Sequence, residues 1–171
     1  METAQLLQKQ IKNWIVLFII LLVLSGVTAF PLETELKLLN ENASFLPIGL
    51  QQWISRVYAG VSETNQHYKF MAYGTDWLAF AHIVISIFFF GLLKDPVRNI
   101  FIIKAGMVSC IAVFPLAFIA GPIRGIPFYW QLIDCSFGVF GFLLLRFVYR
   151  KIKRLEIIEI NNLSAVKLSA V

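Results

Sequence analysis

Four stretches of this 171-residue sequence are apolar over about the length that a helix needs to cross a bilayer. They lie near residues 14–30, 77–93, 97–120 and 128–149, and a spanning helix requires roughly 17–25 residues. Because hydrocarbon offers no partner to a backbone N–H or C=O, segments of this kind bond internally and form helices. The sequence therefore predicts an all-α integral membrane protein with four transmembrane helices.

The composition agrees with this fold class. Apolar residues make up 58% of the chain and charged residues only 15%, which is typical of membrane proteins rather than soluble domains. The net charge is +5, but the basic residues cluster where apolar segments end, as in membrane-anchoring loops. We therefore expect the lipid bilayer as a partner, and we expect no nucleic acid.

The only long connection, residues 31–76, contains a helical pattern of its own. Apolar residues recur there at helical spacing on one side: Leu50, Trp53, Ile54, Val57, Tyr58 and Val61. A helix this short that carries Trp and Tyr favours the membrane surface over a span. We predict an interfacial amphipathic helix here, a shorter helix over 32–39, and a further helix over 62–73 that ends before Gly74.

The distribution of basic residues sets the orientation. Lys9 and Lys12 precede the first apolar run, and a basic cluster, 150–154, follows the last. Lysine and arginine favour the cytoplasmic side. We expect residues 1–149 to form the membrane domain, with both termini cytoplasmic, loop 31–76 extracytoplasmic and 150–171 a basic cytoplasmic tail. A bacterial inner membrane is the expected location.

The first apolar run is open to a second interpretation. Val27, Thr28 and Ala29 are small enough for signal-peptidase cleavage at its end. We favour an uncleaved helix because the apolar core is longer than that of most signal peptides.

One carboxylate interrupts the fourth apolar run. Asp134 lies about 10 Å into this helix at a rise of ~1.5 Å per residue. A charge inside a membrane helix costs about 2.5–3.5 kcal/mol on insertion scales, so it requires a partner or water. Helical spacing places Asp134 on one stripe with Gln131, Gly138 and Gly141.

The second helix carries a comparable stripe. His82 and Ser86 lie on it, with His82 at about the depth of Asp134, and Ser109 lies on a small-residue stripe of the third helix. Small and polar faces are those that membrane helices turn towards each other. We therefore predict an outward-facing polar site. Its ligand-binding candidates are Asp134, His82, Gln131, Arg124 and Asp76, and its helix-packing residues are Gly138, Gly141, Ser86 and Ser109.

Three classes of function are compatible with such a site. The first is a protein that binds or moves a small ligand, a lipid or a proton, and the second is a non-catalytic interaction subunit with a membrane protein partner or a second copy. The third, a membrane enzyme with His82 as base and Asp134 as its orienting residue, is less favoured because no nucleophile or oxyanion site is present. No catalytic residue is identified.

The sequence predicts no metal site and no cofactor. His67 stands in the long loop with no other ligand residue at metal spacing. Haem is disfavoured because His82 is the only histidine within a predicted span, so Met107 would have to supply the second axial ligand.

Overall fold

The computed structural model describes residues 3–169, with side chains as far as Ser164. Throughout this range the regular secondary structure is helical. The six α-helices are α1 (Ala4–Ala29), α2 (Leu32–Glu41), α3 (Ile48–His67), α4 (Ala72–Lys94), α5 (Ile100–Ile123) and α6 (Phe128–Ser169), and two short 3-10 turns cover Ala43–Phe45 and Lys69–Met71.

Four segments of the described chain are long and apolar enough to cross a membrane. They are Ala4–Ala29, Lys69–Lys94, Ile100–Ile123 and Phe128–Ser164. These segments contain the four apolar runs that the sequence indicates. The prediction of an all-helical chain with four helices of spanning length is therefore confirmed.

The first and last of these helices are longer than predicted. α1 begins at Ala4 rather than near residue 14, and α6 continues to Ser169 rather than ending near 149. Both extensions are buried on one side. In the extension of α1 the buried residues are Leu7 and Ile11, followed by Ile15 within the apolar run; in the extension of α6 they are Ile152 and Leu155, preceded by Leu145 and Val148 within the run.

The spacing of these buried residues is that of helices that pack along their length. Lys151 of α6 donates a hydrogen bond to Gln10 of α1. Trp14 meets Phe147 edge to face, with ring centroids 5.3 Å apart. α1 and α6 are therefore antiparallel neighbours, and this mutual packing explains why both continue beyond their apolar runs.

The chain forms two compact units. The first unit comprises the described parts of Met1–Ile19 and Phe88–Val171, and the second comprises Ile20–Ile87. α1 and α4 contribute to both. The first unit is dominated by the α5–α6 hairpin, and the second contains α2 and α3 with the adjoining parts of α1 and α4.

In the second unit, amide side chains of α3 bond the chain that precedes it. Asn65 donates to a carboxylate oxygen of Glu33 in α2 at 2.8 Å, and Gln51 donates to the carbonyl of Leu46, just before α3, at 2.7 Å. The bonds from Asn65 and then Ser62 lower the pKa of the Glu33 carboxyl. This contribution to stability is present above the ordinary carboxyl pKa and is lost as the pH falls through the lowered value.

Two predicted helix boundaries are wrong. α3 continues from Ile48 to His67, and α4 begins at Ala72 and runs through Gly74, because one glycine costs a helix only about 1 kcal/mol. The helix that corresponds to the apolar run 97–120 begins at Ile100 instead of 97. Asp95 accepts a hydrogen bond from the Arg98 amide at 2.9 Å, so Asp95 caps a separate turn and not α5.

Asn99 holds this turn between α4 and α5. Its side-chain amide donates to the carbonyls of Gly91 at 3.1 Å and Asp95 at 2.8 Å. The last carbonyls of a helix have no partner within the helix. Asn99 therefore closes the end of α4 from eight residues away, which explains why α5 starts after it.

Candidate functional site

The connection between α5 and α6 is a tight, fully bonded turn. Gly125 adopts a left-handed φ of +67°. Its amide donates to the Pro122 carbonyl at 3.1 Å, and the Ile126 amide donates to the Gly121 carbonyl at 2.9 Å. This is a Schellman motif, in which a glycine after the helix end satisfies carbonyls that would otherwise be orphaned.

Gln131 closes the turn from the other side. Its side chain is 4% exposed, and its Nε2 donates to the Ile126 carbonyl at 2.8 Å. A Cβ on Gly121 would lie 2.6 Å from the Gln131 Cδ, so a larger residue at this position would displace the Gln131 side chain. The amide of this predicted ligand-binding residue is thus engaged in holding the α5–α6 turn.

Further along the hairpin, the two helix backbones come into contact. A Cβ on Gly138 would lie 2.7 Å from the Cys110 carbonyl oxygen, and one on Gly141 would lie 2.9 Å from the Cys110 Sγ. On the α5 side, a Cβ on Gly106 would lie 2.8 Å from Cδ1 of Leu145. Glycines on both helices therefore allow the close approach.

Ser109 does not take part in this contact. Its side chain is exposed, and its hydroxyl donates to the Ala105 carbonyl of its own helix at 3.0 Å. The face of α5 that contacts α6 carries Gly106 and Cys110, so the predicted packing role of Ser109 stays a prediction.

Asp134 lies between the two contacts that fix α6. It follows Gln131 by one turn and precedes Gly138 by one turn, and its side chain is half-buried. Within the first unit, no described side chain forms a hydrogen bond or ion pair with its carboxylate. By contrast, the neighbouring Ser136 bonds its own helix, to the Ile133 carbonyl at 2.6 Å. Asp134 is therefore a positioned acceptor with its bonding capacity unused in that unit.

His82 and Ser86, two of the predicted site residues, lie in the second unit. Nδ1 of His82 is 2.8 Å from the Leu78 carbonyl, and because a carbonyl only accepts, this nitrogen carries the proton. Nε2 remains for another partner. Ser86 is 2% exposed and donates to the Ile83 carbonyl at 2.7 Å, so its hydroxyl is satisfied within α4.

His82 stands where α1 and α4 touch. A Cβ on Gly26 would lie 2.6 Å from the Ala79 carbonyl oxygen and 3.2 Å from the His82 Cβ. Ala79 is fully buried. Gly26, which the sequence pattern did not single out, therefore fixes the position of the histidine backbone.

The remaining two predicted site residues differ in setting. Arg124 is exposed at the end of α5, where its amide caps the last turn. Asp76 is half-buried in the second unit, where it lines a groove with Phe30, Tyr73, Trp77 and Phe80. The aromatic residues around Asp76 stand at the ends of two apolar runs of the sequence, but no residue spacing indicates that they surround the carboxylate.

Comparison with protein-family models, with curated proteins and with solved structures finds no match for this chain. Across the residues that the structure describes, no three His, Cys, Asp or Glu side chains converge as metal ligands would. The chemistry of the candidate site therefore has to be argued from its own side chains.

The role of Gln131 in the turn can be measured. Gln131→Met keeps the approximate volume of the side chain but removes the donor to Ile126, so we expect a loss of about 1–3 kcal/mol in the free energy of unfolding. Thermal unfolding of the purified protein in detergent measures this loss. Ser136→Ala is the matched control on the same helix, with a change of about 0.5 kcal/mol or less. A methionine variant as stable as the wild type would show that the hydrogen bond does not hold the turn.

Proposed function

We propose that the chain is an integral membrane protein of four transmembrane helices, with an intramembrane polar site centred on Asp134. The site binds or moves a ligand that presents a cation or a hydrogen-bond donor. The observation that supports this proposal is the half-buried carboxylate of Asp134, which has no partner within its unit although the helix contacts on either side hold it in place.

The exposure of the long helices supports the membrane setting. In α5, 6% of the most apolar window is buried within the described structure, and its exposed residues include Phe101, Leu116 and Ile123, each at least 67% exposed. Soluble monomers rarely expose apolar patches of this extent. A lipid environment accounts for these side chains without a further partner.

The same setting gives an orientation. With Lys94 and Arg98 between α4 and α5, and with the basic cluster late in α6, the positive-inside tendency places these ends in the cytoplasm. The α2–α3 segment is then extracytoplasmic, and α3 lies at the interface.

Reporter fusions test this topology. A fusion after Val171 and one after Arg98 are expected to report the cytoplasm, whereas an insertion at Gly60, which is exposed with open space around its Cα, is expected to report the opposite side. A C-terminal fusion that reports the extracytoplasmic side would contradict the orientation. Release of the protein by carbonate washing would contradict the membrane setting itself.

The chemistry of the ligand follows from the carboxylate. An ionised carboxylate only accepts hydrogen bonds, whereas a protonated one donates a single bond. In an apolar helix, an uncompensated carboxylate costs about 2.5–3.5 kcal/mol on insertion scales. A bound cation, donor or proton offsets this cost, so the site selects for such a group next to apolar surface.

His82 belongs to the second unit and Asp134 to the first, so the predicted pairing of the two residues stays a prediction from the sequence. A double-mutant cycle of Asp134→Asn and His82→Gln tests it, because strictly additive losses would show that the two residues are not coupled.

A non-catalytic interaction subunit is the second candidate. The extensive exposure of α5 suits a protein partner as well as lipid, and a polar group on a partner helix would satisfy Asp134. Such contacts between membrane helices average only about 0.6 kcal/mol.

Native mass spectrometry of the detergent-purified protein separates these functions. We expect the wild type to retain a small molecule or lipid that Asp134→Asn loses, because the amide keeps the shape but not the charge. Ser136→Ala, two residues along the same helix and bonded to its own backbone, is the control that retains it. A retained protein in place of a small molecule would favour the interaction subunit. Equal retention by wild type and Asp134→Asn would exclude Asp134 as the binding group.

A further inference from the structure

A second carboxylate lies in an aromatic groove of the second unit. The groove has a volume of about 200 Å³ and is lined by Phe30, Tyr73, Asp76, Trp77 and Phe80. Four of these residues lie on α4, and Asp76, Trp77 and Phe80 follow Tyr73 by three, four and seven residues. The four side chains therefore share one face of the helix. Phe30 is the residue directly after the end of α1. The groove is smaller than the roughly 300–1,000 Å³ of sites for drug-sized ligands, so it suits a small group.

The rings are arranged at right angles. Tyr73 and Trp77 have centroids 6.0 Å apart and planes at 81°, and Trp77 and Phe80 have centroids 6.0 Å apart and planes at 85°. Each of the three rings is at least 50% exposed. Exposed aromatic faces that meet at such angles offer negative π-surface to a cation from more than one direction.

Asp76 adds a carboxyl group to this surface. Its side chain is half-buried, and within the second unit no described hydrogen bond or ion pair engages it. A carboxylate next to two or three aromatic rings is the combination that recognises ammonium groups, because both components attract a cation while the rings also contact its methyl or methylene groups.

We propose that this groove binds the ammonium headgroup of a zwitterionic phospholipid. The inference rests on the membrane setting in the proposed function. The groove lies where α1 ends and α4 begins, and these are ends of two segments of spanning length. Tyr and Trp at such ends lie at the level of the lipid headgroups. At this depth the neighbouring lipids present ammonium groups to the groove, and their acyl chains continue along the exposed apolar face of α4.

The site differs from that of Asp134 in both place and ligand. Asp76 and its aromatic neighbours belong to the second unit, whereas Asp134 belongs to the first. The groove requires a choline or ethanolamine headgroup and rejects a glycerol headgroup, which has no cation. The Asp134 site makes no such demand on the lipid.

Lipid competition tests the proposal on the full chain. The protein is reconstituted in nanodiscs of equal parts phosphatidylcholine and phosphatidylglycerol, released into the gas phase, and the retained lipids are counted by native mass spectrometry. We expect the wild type to retain phosphatidylcholine in preference, and Asp76→Asn and Trp77→Leu each to reduce that preference about fivefold or more. Trp77→Phe, which keeps a π-face, is expected to retain most of it.

Three controls make the outcome decisive. Trp14→Phe changes a tryptophan that packs on Phe147 in the first unit, and Glu35→Gln changes an exposed carboxylate of α2 outside the groove; both are expected to keep the preference. Thermal unfolding checks that each variant is folded. Retention of the two lipids in equal amounts by the wild type, or an unchanged preference in both Asp76→Asn and Trp77→Leu, would overturn the proposal.

Soluble tetramethylammonium distinguishes the source of the cation. If the diacyl lipid is the ligand, millimolar tetramethylammonium leaves the retained phosphatidylcholine in place; displacement would show that the groove prefers a small ammonium ion to the lipid and would overturn the lipid assignment. If the protein stays in the membrane but shows no preference for phosphatidylcholine, only the proposed lipid site in the groove is contradicted. If carbonate extracts the protein from the membrane, the membrane setting on which both proposals rest is contradicted.

Discussion

The approach of Gly138 to the Cys110 carbonyl oxygen is the contact on which the arrangement of α5 and α6 depends. A Cβ at this position would lie 2.7 Å from that oxygen, closer than side-chain carbons come to backbone. Seven residues earlier on α6, the Gln131 side chain packs equally closely against Gly121 of α5, where a Cβ would lie 2.6 Å from the Gln131 Cδ. Asp134 lies midway between these two contacts, so the packing of two glycines positions a carboxylate that packing itself does not need.

Much of this fold could be predicted from the sequence, because the four apolar runs have the length and composition of helices that could cross a membrane. The lengths of α1 and α6 could not. Their extensions consist of mixed polar and apolar residues, and they are helical because Leu7 and Ile11 on one helix and Ile152 and Leu155 on the other are buried. The helical spacing of these apolar residues is visible in each segment, but which helix covers them is a property of the pair.

The candidate site divides along the same line. The shared stripe of Asp134, Gly138 and Gln131 follows from helical periodicity, and it was predicted. The hydrogen bond from the Gln131 amide to the Ile126 carbonyl depends on the left-handed conformation of Gly125. The glycines and prolines of residues 121–127 indicate a turn but do not specify this conformation. The aromatic groove likewise requires Phe30 to lie against α4. This is a tertiary contact, which the sequence pattern does not indicate.

The central claim is that Asp134 is present for a ligand and not for the fold. Thermal unfolding of Asp134→Asn and Asp134→Leu, after exhaustive exchange into ligand-free detergent, tests this claim most directly. Because an unpartnered carboxylate in an apolar setting opposes folding, we predict melting temperatures equal to or above that of the wild type, with 1 kcal/mol worth roughly 2–4 °C at this size. A fall of several degrees in both variants would show that the carboxylate holds the structure together, and would contradict the account.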